Sequence, residues 1–168
     1  MKAFSFVGWS GSGKTTLIAR LVTAQTDKGR RVVCVKKVHC SYTLQPAAKD
    51  TARFVEAGAE SAFLVADGEL VRMQRVASAG EALETIAAEV SGADWVLLEG
   101  AVREGAPVIE VLGPDPGGGS KFPAERLAAV VGSCDPGLGV PFFASEDVEG
   151  LVAFMEGFHG QEGGPQDR

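Results

Sequence analysis

The sequence predicts an α/β fold with a mostly parallel, doubly wound sheet that is flanked by helices. Short apolar runs alternate with helical patterns along the 168-residue chain, and this alternation is typical of parallel strands joined by crossover helices. A glycine-rich turn follows the first apolar run, and a hairpin signal interrupts the alternation once. We expect a single domain over residues 1–156 and a flexible, glycine-rich tail over residues 157–168.

Composition excludes several classes of protein. The chain is 45% hydrophobic, which is too apolar for a disordered protein, and its net charge of −6 disfavours a general nucleic-acid binder. No stretch approaches the ~20 apolar residues that cross a bilayer, so we expect no membrane partner. The three cysteines are far apart, which indicates reduced thiols in a cytoplasmic protein.

The first half of the chain predicts three kinds of element. Apolar runs predict two strands, at residues 3–7 and 31–36. Helical patterns that end at a glycine predict two helices, at residues 14–28 and 49–57. Two further apolar runs flank Asp67-Gly68, a pair that strongly favours a tight turn between antiparallel strands. We expect this hairpin to form an insertion or an arm at the edge of the sheet.

The second half continues the α/β alternation. A helix is predicted on the face formed by Leu83, Ile86, Ala87 and Val90. Buried or short strands are predicted where apolar residues run together, at residues 95–98, 108–111, 127–131 and 141–143. The apolar stripe from Val148 to Met155 predicts a final helix, and we expect Ser145 to cap it.

The sharpest motif lies between the first strand and the first helix. It fits the pattern G-x-x-x-x-G-K-[ST] of a phosphate-binding loop, or Walker A motif, and comprises Gly8, Trp9, Ser10, Gly11, Ser12, Gly13, Lys14 and Thr15. Glycines let successive backbone N–H groups point at phosphate oxygens, and the helix N-terminus adds positive potential. Lys14 is expected to reach the β- and γ-phosphates, Thr15 to ligate Mg²⁺, and Thr16 to touch the α-phosphate. The alternative is an ordinary glycine-rich turn.

Such a site needs an acid near the magnesium ion, and two residues are candidates. Glu99 follows a buried strand and is the main candidate, with a surface residue at a strand end as the alternative. Asp50 could face the metal or the γ-phosphate with Arg53 as its charge-stabilising partner, or the two could form an ordinary helical ion pair. Either Lys36 or Lys37 could point at the nucleotide, or both could be solvated.

Asp135 is the candidate for reading the base. It follows a late strand, where a doubly wound sheet opens onto its ligand crevice, and could accept hydrogen bonds from guanine N1–H and N2–H. As the residue before Pro136 it could instead be an ordinary turn residue. The guanine motif N-K-x-D is absent from the sequence.

These residues together resemble the molybdopterin-guanine dinucleotide biosynthesis adaptor family, usually called MobB. The resemblance covers about residues 3–156. It rests on blocks that keep their order and spacing, which are Gly11-Ser12-Gly13-Lys14-Thr15-Thr16, Val35-Lys36 with His39, Lys49-Asp50 with Arg53, Ala57-Gly58-Ala59, Leu98-Glu99-Gly100 and Ile109-Glu110-Val111.

The resemblance implies a P-loop protein that binds GTP and Mg²⁺, hydrolyses GTP weakly and forms a homodimer. It implies a partner, the guanylyltransferase that attaches GMP to molybdopterin, and it makes Asp50 and Glu99 stronger site candidates. A kinase for a small molecule is one alternative, which the lack of arginine in the flexible loop at residues 113–120 disfavours. A nucleotide-switched binding module, with the hairpin as its partner or dimer surface, is the other.

Overall fold

The computed structural model describes residues 1–37, 46–66, 68–114 and 119–158. They divide into two compact units, one formed by Met1–Lys37 with Gly92–Arg168 and the other by Val38–Ser91. The prediction of one domain over residues 1–156 stays a prediction. The hairpin residue Asp67, the His39-Cys40 pair and the tail from residue 159 lie outside the described residues.

The first unit is built on a six-stranded parallel sheet. Its strands are β1 (Lys2–Val7), β2 (Val32–Lys36), β5 (Trp95–Glu99), β6 (Val108–Val111), β7 (Ala129–Gly132) and β8 (Phe142–Ala144). They lie in the order β2-β5-β1-β6-β7-β8, and every neighbouring pair is parallel. The strand order reverses direction at β1, so the turn after β1 lies at the point where doubly wound sheets bind ligands.

Two helices cover one face of this sheet. They are α1 (Lys14–Thr26) and α4 (Val148–Gly157), which contact each other as well as the strands. The core between helices and sheet contains Phe6 of β1, Leu21 of α1, Ile109 of β6 and Leu151 of α4, all almost inaccessible to solvent. On the opposite face, Val7, Val108 and Val130 belong to a second apolar cluster, which Phe122 and Leu138 help to cover.

The second unit contains α2 (Pro46–Glu56), the hairpin of β3 (Ser61–Ala66) and β4 (Glu69–Gln74), and α3 (Ala79–Glu89). The two strands pair antiparallel as the sequence predicts, and they form a sheet of their own. Val55 of α2 and Ala62 of β3 are buried, whereas Phe63, Val65 and Leu70 on the other face of the hairpin are exposed.

Several boundaries differ from the sequence prediction by one or more residues, and three of the differences have a clear physical reason. Helix α2 begins at Pro46 rather than near residue 49, because the fixed φ of proline suits the first helical position. Strand β7 begins at Ala129, since residues 124–126 form a short 3-10 turn that Leu127 closes. Ser145 does not cap α4: its N–H still bonds to Gly132, and Asp147 caps the helix by accepting from the Gly150 N–H at 2.9 Å.

No helix among the described residues is both long enough and apolar enough to cross a membrane.

Candidate functional site

The predicted phosphate loop connects β1 to α1, at the carboxyl end of a central strand. Gly8, Gly11 and Gly13 all have positive φ, at 140°, 78° and 94°, and Gly13 directly precedes the helix. Glycines adopt these angles without strain, and turns of this kind point backbone N–H groups into a concavity that favours anions. The loop and the helix N-terminus therefore have the backbone geometry that the motif predicts for an anion site.

The opening glycine is also required by close packing. A Cβ atom at Gly8 would lie 2.2 Å from the carbonyl oxygen of Val111, which belongs to the neighbouring strand β6. Only a residue without a side chain lets the loop leave the sheet at this point.

Lys14 bends back over the loop that precedes it. Its ammonium group donates to the carbonyl oxygens of Gly8 at 3.0 Å and Trp9 at 2.6 Å, and it lies 3.3 Å from the Ser12 hydroxyl. Partial burial lowers the pKa of Lys14 below 10.5, against the opposing attraction of Glu99. Lys121 and Lys36 lower this pKa further through charge repulsion.

Thr15 and Glu99 meet across the sheet edge. The Thr15 hydroxyl lies 2.8 Å and 2.9 Å from the two carboxylate oxygens of Glu99. Glu99 ends β5, next to the end of β1, and 13% of its side chain is exposed. Oxygens of these two types are the ligands that Mg²⁺ prefers, so the pair fits a magnesium ion that is also held by water and phosphate.

Lys36 completes this cluster. It ends β2 opposite Glu99, and its ammonium group lies 3.0 Å from a Glu99 oxygen and 3.4 Å from the Thr15 hydroxyl. The sequence left open whether Lys36 or Lys37 faces this site, and the structure brings Lys36 to it. Cys34, two residues earlier, is a free thiol whose pKa is raised, first by burial and then by Glu99.

The remaining candidates are Ser10, Thr16, Asp135, Asp50 and Arg53. Ser10 and Thr16 are exposed, on the loop and the first turn of α1. Asp135 follows β7, and its carboxylate accepts from the Gly137 N–H at 2.8 Å, which is the geometry of a local turn. Asp50 and Arg53 belong to α2 in the second unit, where the side chain of Asp50 lies outside the described part.

Glu110 and Lys121 are two residues beside the loop that motif analysis did not assign to the site. Glu110 is fully buried at the end of β6, and it accepts from the backbone N–H of Lys121 at 2.6 Å. The ammonium group of Lys121 lies 4.1 Å from the ring centre of Trp9. The sequence did contain a signal for this contact, which is an acid inside the otherwise apolar strand β6. A buried carboxylate there requires hydrogen-bond donors nearby.

Within the described ranges, no three His, Cys, Asp or Glu side chains converge on a possible metal position. Of the predicted metal ligands, Thr15 and Glu99 contact each other, and the side chain of Asp50 lies outside the described part.

The chain matches known proteins over most of its length. The family model "Molybdopterin guanine dinucleotide synthesis protein B" matches residues 3–133. The molybdopterin-guanine dinucleotide biosynthesis adapter protein of Escherichia coli K12 is 30% identical over 159 residues, which cover 90% of this chain and 89% of the relative.

Solved structures show the same fold. A crystal structure of molybdopterin-guanine biosynthesis protein B superposes with a TM-score of 0.69 at 29% identity, covering 92% of this chain and 96% of that one. Bacillus subtilis MobB superposes with a TM-score of 0.66 at 22% identity, covering 94% of this chain and 100% of that one. This chain has the α/β fold of P-loop NTPases and belongs to the MobB family of molybdopterin guanine dinucleotide biosynthesis adapter proteins.

Proposed function

We propose that this protein binds Mg²⁺ and GTP through its Walker A loop and assists the guanylyltransferase that attaches GMP to molybdopterin. The observation that carries the proposal is the cluster of Lys14, Thr15 and Glu99 at the carboxyl edge of the parallel sheet. A cation, a hydroxyl and a carboxylate meet there beside a glycine-rich turn, which is the set of groups that holds a magnesium-bound triphosphate.

The backbone of the loop would bind the phosphate chain, and Lys14 would add a side-chain contact. The N–H groups of residues 11–16 and the positive end of α1 would hold the phosphate chain. Lys14 would exchange its bonds to the Gly8 and Trp9 carbonyl oxygens for the β- and γ-phosphates. Because charged acceptors bind an ammonium group more strongly than neutral carbonyl oxygens do, this exchange favours the bound nucleotide.

Magnesium would be held by few protein atoms. The Thr15 hydroxyl would offer a lone pair to the ion, and Glu99 would accept hydrogen bonds from metal-bound water or bind directly. Magnesium supplies charge neutralisation at the terminal phosphates when bound. Asp50 is a further proposed acid of this set.

We propose slow hydrolysis. Glu99 is the proposed group for holding water near the metal, and the proposed transition-state cation is Arg53, supplied in cis or from a second subunit. A Glu99→Gln variant that still binds GTP but no longer hydrolyses it separates two roles when tested for cofactor maturation in cells. Loss of maturation supports an enzyme that needs turnover, and retained maturation supports a nucleotide-switched adapter.

Guanine selectivity is proposed for the loop after β7, where Asp135 would accept from guanine N1–H and N2–H. The test is calorimetric titration with GTP, GDP and ATP in the presence of magnesium. We expect the guanine nucleotides to bind more tightly than ATP. In an Asp135→Asn variant, the difference in affinity between GTP and ATP should become smaller. Equal binding of guanine and adenine nucleotides would remove the assignment.

We also propose that the protein works as a homodimer in the cytoplasm. Support comes from the exposed face of the hairpin, where Phe63, Val65 and Leu70 are 56%, 74% and 68% exposed. An apolar face of this kind usually marks an interface. Sedimentation should give a dimer for the natural protein and a monomer after Val65→Ser with Leu70→Ser, and a monomer for both would refute the proposal.

A further inference from the structure

Lys121 is a second cation beside the phosphate loop. Its ammonium group lies 4.1 Å from the ring centre of Trp9, the loop residue that follows Gly8, and the Trp9 ring is half exposed. The indole N–H of Trp9 points to the same segment and lies 3.4 Å from the Gly119 carbonyl oxygen. Residues 119–121 therefore contact the phosphate loop at both the ring face and the indole N–H of one tryptophan.

A buried carboxylate fixes the segment in this position. Glu110 has no exposed surface, and its two oxygens accept from the Lys121 backbone N–H at 2.6 Å and from the Ser120 hydroxyl. The Ser120 hydroxyl oxygen in turn accepts from the backbone N–H of Phe122 at 3.2 Å. Since Glu110 belongs to β6, which pairs with β1, the anchor and the phosphate loop rest on adjacent strands.

The charge balance of this region favours an anion with several charges. Lys36 and Lys121 each lie close enough to Lys14 for their charges to repel it, and Glu99 is the carboxylate that attracts it. With the buried Glu110 included, three ammonium groups lie near two carboxylates, so positive charge is in excess, and a bound phosphate would offset the repulsion on Lys14.

The way in which Lys121 is held leaves it available to a ligand. The ring face of Trp9 attracts its charge without taking a directional N–H bond. Within the described part of the chain, its ammonium group has no hydrogen-bond acceptor. Lys14 donates to the carbonyl oxygen of Trp9, so both ammonium groups lie beside Trp9, in the part of the loop where the motif would place the terminal phosphates.

We propose that Lys121 is a second phosphate-binding lysine, which Trp9 and the Glu110-anchored segment hold beside the loop and which binds the terminal phosphate of a nucleoside triphosphate. This inference rests on the proposed triphosphate binding. Lys121 would make the site bind a nucleoside triphosphate more tightly than a diphosphate. Trp9 positions the lysine, and Lys121 itself touches the ligand.

The test measures the affinities for GTP and GDP by calorimetry in Lys121→Met, Lys121→Arg and Lys28→Met. We expect Lys121→Met to weaken GTP binding by about ten-fold or more and GDP binding much less, because a charge-assisted bond to the terminal phosphate is lost. Lys121→Arg should keep most of the GTP affinity, because it keeps the charge. Lys28 is an exposed lysine paired with Glu156, so Lys28→Met should bind as the natural protein does.

Each contrary result has a distinct meaning. If Lys121→Met binds GTP as the natural protein does, or loses equal affinity for GTP and GDP, the role of Lys121 is refuted while triphosphate binding stands. If the natural protein itself binds neither nucleotide, the proposed function and this inference both fall. Because Lys121 is on the surface of its segment, its variants should keep the natural melting temperature, which is checked by circular dichroism.

Discussion

The hydroxyl of Thr15 lies within 2.9 Å of both carboxylate oxygens of Glu99, although 84 residues separate the two along the chain. The parallel pairing of β1 with β5 makes this contact possible, since it brings the end of β5 beside the turn that starts α1. Their meeting places a hydroxyl and a carboxylate together at the first turn of α1, and magnesium dependence should follow from this pair.

Removing the hydroxyl of Thr15 should uncouple nucleotide binding from magnesium. In Thr15→Val we expect the gain in GTP affinity on adding Mg²⁺ to shrink by about ten-fold, because a metal ligand is lost. Thr15→Ser keeps the hydroxyl and is the matched control. Titrations with and without Mg²⁺ measure the effect, and an undiminished magnesium response in Thr15→Val would contradict it.

A methyl group at Gly8 should destabilise the protein more than one at Gly29. Both glycines have positive φ, but Cβ at Gly8 would meet the Val111 carbonyl oxygen, whereas Gly29 has open space around it. We expect Gly8→Ala to lower the free energy of unfolding by about 2 kcal/mol or more, against about 1 kcal/mol for Gly29→Ala. Denaturant unfolding measures both, and equal losses would show that the close approach to β6 is unimportant.

Shortening the side chain of Leu151 should destabilise the protein, because this residue packs in the core between α4 and the sheet. Leu151 is fully buried between α4 and the sheet, so Leu151→Ala should lower the free energy of unfolding by about 2–5 kcal/mol. Val102→Ala, at a partly exposed loop position, should change it by about 0.5 kcal/mol or less. Equal effects of the two substitutions in urea unfolding would contradict the packing described.

Phosphate binding should weaken at alkaline pH. The pKa of Lys14 is lowered below 10.5 in the protein, chiefly by burial, and bound phosphate would raise it again by stabilising the charged form. Binding therefore takes up a proton between the two pKa values, and affinity falls as pH rises through the lowered one.

This pH dependence can be measured with magnesium tripolyphosphate, which carries no base that titrates. Calorimetry in buffers of different ionisation enthalpy should show proton uptake that increases from pH 7 toward 10.5, and Lys28→Met should give the same profile. Affinity that does not change with pH over this range would contradict the placement of Lys14 at the phosphates.

The sequence predicts the strands and helices well because their signals are local. The apolar runs around Phe6 and Leu97 and the Asp67-Gly68 pair predict strands and a hairpin without any tertiary information. The predicted ends of strands and helices are wrong where backbone hydrogen bonds determine the end of the element. Ser145 is a good capping residue by type, yet its N–H remains in the strand ladder, and Asp147 takes the cap.

The site is predictable only where one motif contains it. Lys14 and Thr15 follow from the glycine pattern, whereas the contact of Lys36 with Glu99 depends on the register of β2 against β5, which no local pattern encodes. Lys121 has no motif of its own. Its place beside Trp9 results from the buried Glu110, whose hydrogen-bonding needs fix the segment.

Calorimetric titration of magnesium-bound GTP into the natural protein and into Lys14→Ala tests the central claim most directly. We predict saturable binding to the natural protein and an affinity lower by about a hundred-fold or more in Lys14→Ala. The variant lacks the ammonium group that would exchange its bonds to two backbone carbonyl oxygens for bonds to phosphate oxygens. Unchanged affinity in a folded Lys14→Ala protein would contradict the account.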